Sequence, residues 1–171
     1  LTLVTDLKTH RVIWVGVGRS RLTIRRFARW FGRDRLRRLR AVVIDMHDPY
    51  VAELAVQAPQ AVIVYDRFHV MKHLNEAIDL IRRRVQGQMS VVADRKRIKN
   101  QRYVILKARE NLSATDRVRL KELLAVNRDI STGYILKEDF REWFSCASRS
   151  EARAYLDDWI GKVQESGIPE L

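Results

Sequence analysis

Two apolar runs that each end in an aspartate constrain this chain more than any other feature. Ala41-Val42-Val43-Ile44 is followed by Asp45, and Ala61-Val62-Ile63-Val64-Tyr65 by Asp66. Continuous, β-branched runs of this length suit strands buried on both faces, as in a parallel sheet. The segment between them predicts one short helix. Asp48 is its capping residue, Pro49 lies in its first turn, Val51, Leu54, Ala55 and Ala58 are its buried stripe, and Pro59 stops it. Strand, helix, strand is a βαβ unit. It sets both aspartates at the carboxyl edge of neighbouring strands, where ligands and catalytic groups collect in open α/β sheets.

Residues 1–7 and 11–17 are strand-like runs around a polar turn and predict an antiparallel hairpin. Ile24, Phe27, Ala28 and Phe31 recur at helical spacing with Gly32 as a stop, and Leu36 and Leu39 mark a shorter helical turn. From Phe68 onward the pattern is helical throughout. Met71, Leu74, Ile78, Ile81 and Val85 define one long helix. Ser113-Ala114-Thr115-Asp116 forms a capping box before Leu120, Leu123 and Leu124. Phe140, Trp143 and Phe144 line another helix. Ser150 is the expected cap of a last one, carrying Leu156, Trp159, Ile160 and Val163 and closed by Gly167-Ile168-Pro169. The expected architecture is an α/β part over residues 1–90 and an all-α part over residues 91–171.

Charge adds the partner class. The chain has 171 residues and a net charge of +12, from 33 Lys and Arg against 21 Asp and Glu. Residues 19–40 hold ten Arg and one acid, Asp34, and residues 82–109 hold ten basic residues and one acid, Asp94. From Lys137 onward the balance reverses, with five basic residues and eight acidic ones. Cations concentrated in two stretches are the electrostatic footprint of a phosphate-facing surface. Arg19, Arg25, Arg26, Arg82, Arg83, Arg84, Arg95, Lys96 and Arg97 are the expected DNA-backbone contacts. No helix-turn-helix, RNA-binding aromatic signature, zinc finger or phosphate-binding loop is evident. No apolar run approaches a membrane span. One cysteine, Cys146, precludes a disulfide within the chain, so a reducing, cytosolic setting is expected. The sequence opens inside a strand-like run without Met, as an excised piece of a longer protein would.

Carboxylates at a strand edge suit Mg²⁺, a hard cation that prefers oxygen ligands, and two such ions serve phosphodiester cleavage. Each aspartate could equally do no more than cap the helix that follows it. His69, one turn after Asp66, either bonds back to that acid or positions a neighbouring metal site. His69 and His73 have the four-residue spacing of a helical zinc site, but no Cys or third ligand stands nearby, so zinc is not expected.

Val43-Ile44-Asp45-Met46-His47-Asp48-Pro49-Tyr50, then Val64-Tyr65-Asp66-Arg67-Phe68-His69-Val70 and Leu74-Asn75-Glu76-Ala77, resembles the DDE domain of bacterial insertion-sequence transposases of the ISL family. Gly18-Arg19 after the hairpin, Glu110-Asn111-Leu112-Ser113, Tyr134-Ile135-Leu136-Lys137-Glu138 and Ser166-Gly167-Ile168 extend the match over nearly the whole chain. The resemblance implies a partial RNase-H-like (retroviral-integrase-like) core followed by a helical insertion. It also implies three acidic residues binding two Mg²⁺, with Mn²⁺ as an alternative ion. Asp45 matches the second acid and is the catalytic, metal-binding candidate. Asp66 and His69 match a supporting acid-x-x-His element. The first and third acids are expected outside residues 1–171: Asp6 falls in the hairpin turn and Glu138 inside the insertion. Metal-dependent strand cleavage and strand transfer, a homo-oligomer on element ends and target DNA, and a cytoplasmic, bacterial setting complete the expectation. The rivals are another RNase-H-like nuclease or resolvase, and a non-catalytic DNA-binding remnant of a mobile element.

Overall fold

The computed structural model describes residues 1–171, apart from the side chains of Ala93, Asp94 and Arg97. The chain is mixed α/β, mostly helical, and divides into two compact units, Leu1–Val70 and Met71–Leu171. The sequence expectation puts the change from catalytic core to insertion at 90/91. The two divisions differ because the long helix over residues 67–88 runs through the first boundary, and its later turns pack with the helices that follow.

The first unit opens with a hairpin of β1 (Thr2–Asp6) and β2 (Arg11–Gly16), antiparallel, with a register shift between Val4 and Thr5. Asp6 closes the turn, its Oδ1 accepting from the amides of Lys8 at 2.8 Å and Thr9 at 2.9 Å. That carboxylate belongs to an Asx-type turn. Helices α1 (Arg21–Phe31) and α2 (Arg33–Arg37) follow, then β3 (Ala41–Ile44), α3 (Asp48–Gln57) and β4 (Val62–Tyr65). β3 and β4 pair in parallel, with Ala41 opposite Val62 and Ile44 opposite Tyr65. The hairpin and the parallel pair are two separate two-stranded sheets.

The parallel pair departs from the expectation of burial on both faces. One face, with Val42, Ile44 and Ile63, packs against the cluster of Ile24, Tyr50 and Leu54 from α1 and α3. On the other, Val43, Val62 and Val64 are exposed, Val62 by 63%, and Tyr65, at the end of the packed face beside Ile44, is exposed as well. Within this unit helices cover only one side of the pair, so the apolar run is half covered. The buried side of α3 also differs: Tyr50, Glu53 and Leu54 are buried, whereas Ala55 is exposed. The helix begins after His47 with no side-chain cap, and Asp48 lies in its first turn, where an acid favours the positive end of the helix dipole.

The second unit contains the later turns of α4 (Arg67–Gln88), then α5 (Val92–Lys99), α6 (Arg102–Leu106), α7 (Ala114–Leu124), α8 (Arg128–Glu142) and α9 (Arg149–Ser166). Ile78, Ile81 and Val85 of α4 enter one core with Ile98, Ile105, Leu120, Leu123, Ile130 and Tyr134. The expected capping box is present at α7, with Ser113 and Asp116 each serving the other's backbone amide. Ser148, not Ser150, caps α9, its hydroxyl accepting from the Glu151 amide at 3.2 Å. The helix begins earlier than the apolar pattern implied because its first turn is polar. α8 comes so close to α4 that a Cβ on Gly133 would lie 2.8 Å from the Ile81 side chain. Among the described residues, no helix is long and apolar enough to cross a membrane.

Candidate functional site

Asp45 and Asp66 occupy equivalent positions just past the ends of paired parallel strands, and the Asp66 amide donates to the Ile44 carbonyl at 2.8 Å. The βαβ reading therefore holds. The two carboxylates are nevertheless in different situations.

Asp66 is committed to the start of α4. Its Oδ1 accepts from the Phe68 amide at 2.9 Å, and its Oδ2 meets His69 Nδ1 at 3.1 Å. A carboxylate oxygen accepts, so Nδ1 carries the hydrogen and Nε2 is left facing away. This is a capping aspartate with a histidine bonded back to it. His73 lies against Glu76, at 3.5 Å, rather than joining His69.

Asp45 caps nothing with its side chain. Its Oδ2 instead accepts from Arg19 Nη2 at 2.5 Å, and its carboxylate remains partly open to solvent. Arg19 is delivered by the loop after β2, which is tied down three times. Thr2 Oγ1 donates to the Gly18 carbonyl at 2.6 Å, Thr23 Oγ1 to that of Val17 at 3.4 Å, and His47 Nε2 contacts that of Arg19 at 3.1 Å. Thr2 Oγ1 also bonds Tyr50 Oη. The sequence reading missed both the Arg19–Asp45 pair and the part played by His47. A pairing across 26 positions leaves no local signal, although His47 stands two residues from Asp45 in the matched motif.

The expected phosphate contacts divide by their partners. Arg25 Nε donates to Glu53 Oε1 at 2.7 Å and Arg21 Nε to Oε2 at 3.1 Å, with Gln57 adding a third bond at 2.9 Å. The Glu53 side chain has no exposed surface. The hydrogen bond from Arg25, then those from Gln57 and Arg21, hold its carboxyl at about 2 against the pull of burial. Arg82 is a correction to the phosphate-facing expectation: it is 5% exposed and forks onto Asp79 Oδ1 at 2.6 and 2.8 Å. A cation placed on the inward side of α4 must bring a counter-charge with it. Arg83 also reaches Asp79, at 2.8 Å, but lies exposed, and Arg84 is held by Glu170 at 2.6 Å and Asp129 at 3.0 Å. Arg26, Arg95 and Lys96 are exposed, Arg95 also donating to the Met89 carbonyl. Arg97 lies outside the described side chains. Glu138, set aside as a third acid, pairs with Lys137 and Arg141 within the helical unit.

All of residues 1–171 match the model of a family described as transposase, the ISL3 class of DDE transposases. The chain belongs to that family. It is 36% identical over 172 residues to the transposase for insertion sequence element IS1001 of Bordetella parapertussis, covering 99% of this chain and 42% of that protein. It is 26% identical over 191 residues to the transposase for insertion sequence element IS1557 of Mycobacterium tuberculosis, covering 99% of this chain and 43% of that protein. The chain thus spans less than half the length of these relatives. No solved structure matches it.

The family name makes a divalent-metal site the natural test of the acids. Among the described residues, no group of three His, Cys, Asp or Glu side chains is placed to hold one ion. Asp66 has both oxygens engaged by α4 and Asp45 has one engaged by Arg19.

Proposed function

We propose that this chain is the part of an insertion-sequence transposase that carries one catalytic aspartate, Asp45, on a partial RNase-H-like core over residues 1–90, with a helical insertion over residues 91–171. The observation carrying this reading is that Asp45 is the strand-end carboxylate not used for capping, and it stands beside β4 at the edge where open α/β sheets place their chemistry. In the intact protein, Asp45 would be one ligand of a Mg²⁺ pair. The other acids would be supplied by the remainder of a protein as long as its relatives. Mn²⁺ would be accepted in place of Mg²⁺. Those ions would supply activation of the attacking hydroxyl and stabilisation of the leaving oxygen.

The chain's own residues then have separate tasks. Asp66 and His69 fix the start of α4 beside Asp45. Arg19 neutralises Asp45 until another cation takes its place. The exposed cations, Arg26, Arg83, Arg95 and Lys96, hold the DNA backbone, joined by Arg97 of the same basic stretch, while Arg25 and Arg84 contribute what their acid partners leave. The reaction is strand cleavage at the element ends followed by strand transfer to target DNA, by a homo-oligomer acting on DNA in the bacterial cytoplasm.

Asp45→Asn in the intact transposase tests the assignment. Strand cleavage should fall to background while DNA affinity stays within about twofold, because the change removes a ligand charge and no phosphate contact. Near-normal cleavage in Mg²⁺ would show that Asp45 is not the catalytic acid.

A further inference from the structure

We propose that α1 carries a stacking subsite for an unpaired nucleotide base, with Trp30 as its platform and Arg26 and Arg29 as its phosphate contacts. The proposal rests on the DNA-binding reading above and narrows the ligand to single-stranded or locally unpaired DNA.

At 3.6 residues per turn, Leu22, Arg26 and Trp30 form one stripe of α1, with Arg25 and Arg29 beside it. The buried residues, Thr23, Ile24, Phe27 and Ala28, lie on the other side. Trp30 stands at the margin of the two. Its indole rests on Phe27, centroids 6.2 Å apart and planes at 36°, and on Phe31, at 6.3 Å and 32°. Phe27 is in turn braced by Trp14 at 5.6 Å. The ring is therefore supported from beneath by an aromatic cluster while 50% of the residue remains exposed. A rigid, half-open indole presents the flat surface on which any base can stack.

The charges around it lack counter-ions. Arg21 and Arg25 are taken by Glu53. Arg26, Arg29, Arg33 and Arg37 are exposed, and no acid or hydrogen-bond acceptor meets their side chains among the described residues. Asp34 is the one acid in residues 19–40. A polyanion is the partner that answers this surface. A duplex alone would give Trp30 no role, because its base faces are already stacked. A lipid surface fits less well: the continuous apolar side of α1 is already packed against α3, and arginines interrupt the outer stripe.

The test compares a 15-nucleotide oligothymidine with a fully paired duplex of equal length. Trp30→Ala should weaken oligothymidine binding by about tenfold or more, within the range measured for base–aromatic stacking, and change duplex binding less than about twofold. Trp30→Phe, which keeps the packing on Phe27, should recover most of the loss. The indole N–H resonance of Trp30 should shift on adding oligothymidine. Arg26→Ala with Arg29→Ala should weaken both ligands and lower the salt slope. Equal loss on both ligands, no loss on either, or Trp30-dependent binding to phosphatidylserine vesicles without an effect on oligothymidine would overturn the subsite. Absence of binding to both DNA ligands in the unaltered protein would instead remove the DNA reading beneath it.

Discussion

Asp45, Asp66 and Glu53 are three acids in one unit with three different tasks, and single substitutions separate them. Asn is as good a helix cap as Asp, so Asp66→Asn should keep the bond to the Phe68 amide and retain most stability and cleavage, whereas Asp45→Asn should not retain cleavage. Loss of cleavage in both variants alike would mean that Asp66 does more than start the helix. Glu53 carries a pH signature. Its carboxyl is held at about 2, below the usual 4.5, so the unfolded chain binds the proton first as pH falls. The stabilisation is complete above pH 4.5 and is lost as pH falls toward 2. Glu53→Gln should lower Tm at neutral pH by about 5 °C or more, leaving Arg21 and Arg25 without their anion, and should flatten the acid limb of the stability curve. An unchanged acid limb in thermal melts from pH 2 to 5 would count against Glu53 as its source.

At the scale of the helices, α8 meets α4 tightly at Gly133. Two effects oppose each other there. Replacing glycine inside a helix with alanine gains about 1 kcal/mol in propensity, while overpacking a filled core costs about 1–3 kcal/mol. The Cβ would lie 2.8 Å from the Ile81 Cδ1, the end of a flexible side chain, with Ile78 Cδ1 at 3.3 Å. Gly133→Ala should therefore be close to neutral. Gly133→Val, with two more carbons and a weaker helix propensity, should destabilise the helical unit by about 2–3 kcal/mol. Denaturant melts decide it: a valine variant as stable as the parent would mean that α4 and α8 do not approach so closely. The same contact shows why the pattern of α4 was readable. Ile78, Ile81 and Val85 repeat in steps of three and four because one side of the helix faces a core.

For the whole molecule, the expected behaviour is binding without cutting. Exposed cations release counter-ions from any duplex, so affinity for duplex DNA should fall steeply with salt, with a log–log slope of several units if about five phosphates are met. Nicking in Mg²⁺ should be absent, because no three acidic or histidine side chains among the described residues converge on an ion. Arg82→Ala should unfold part of the helical unit rather than lower the slope, since it uncovers the buried Asp79. Arg95→Ala with Lys96→Ala should lower the slope and leave stability unchanged. Mg²⁺-dependent nicking by residues 1–171 that Asp45→Ala removes would show that the chain assembles a complete site.

The order of strands and helices, the parallel pairing of residues 41–44 with 62–65 and the edge position of both aspartates were all determined by local sequence. Apolar period, Pro, Gly and capping residues act over a few positions, and a βαβ unit has one common handedness. The match to the transposase family was equally legible, because it lies in short contiguous motifs. Tertiary structure alone decided what each acid is bonded to. Whether a carboxylate caps a helix, meets an arginine from a loop 26 positions away, as Asp45 does with Arg19, or is sealed by two arginines, as Glu53 is, depends on which loops and helices the fold brings beside it. The same holds for the basic stretches. Consecutive arginines look alike in sequence, but the helix turns 3.6 residues at a time, so Arg82 faces the core while Arg83 faces solvent.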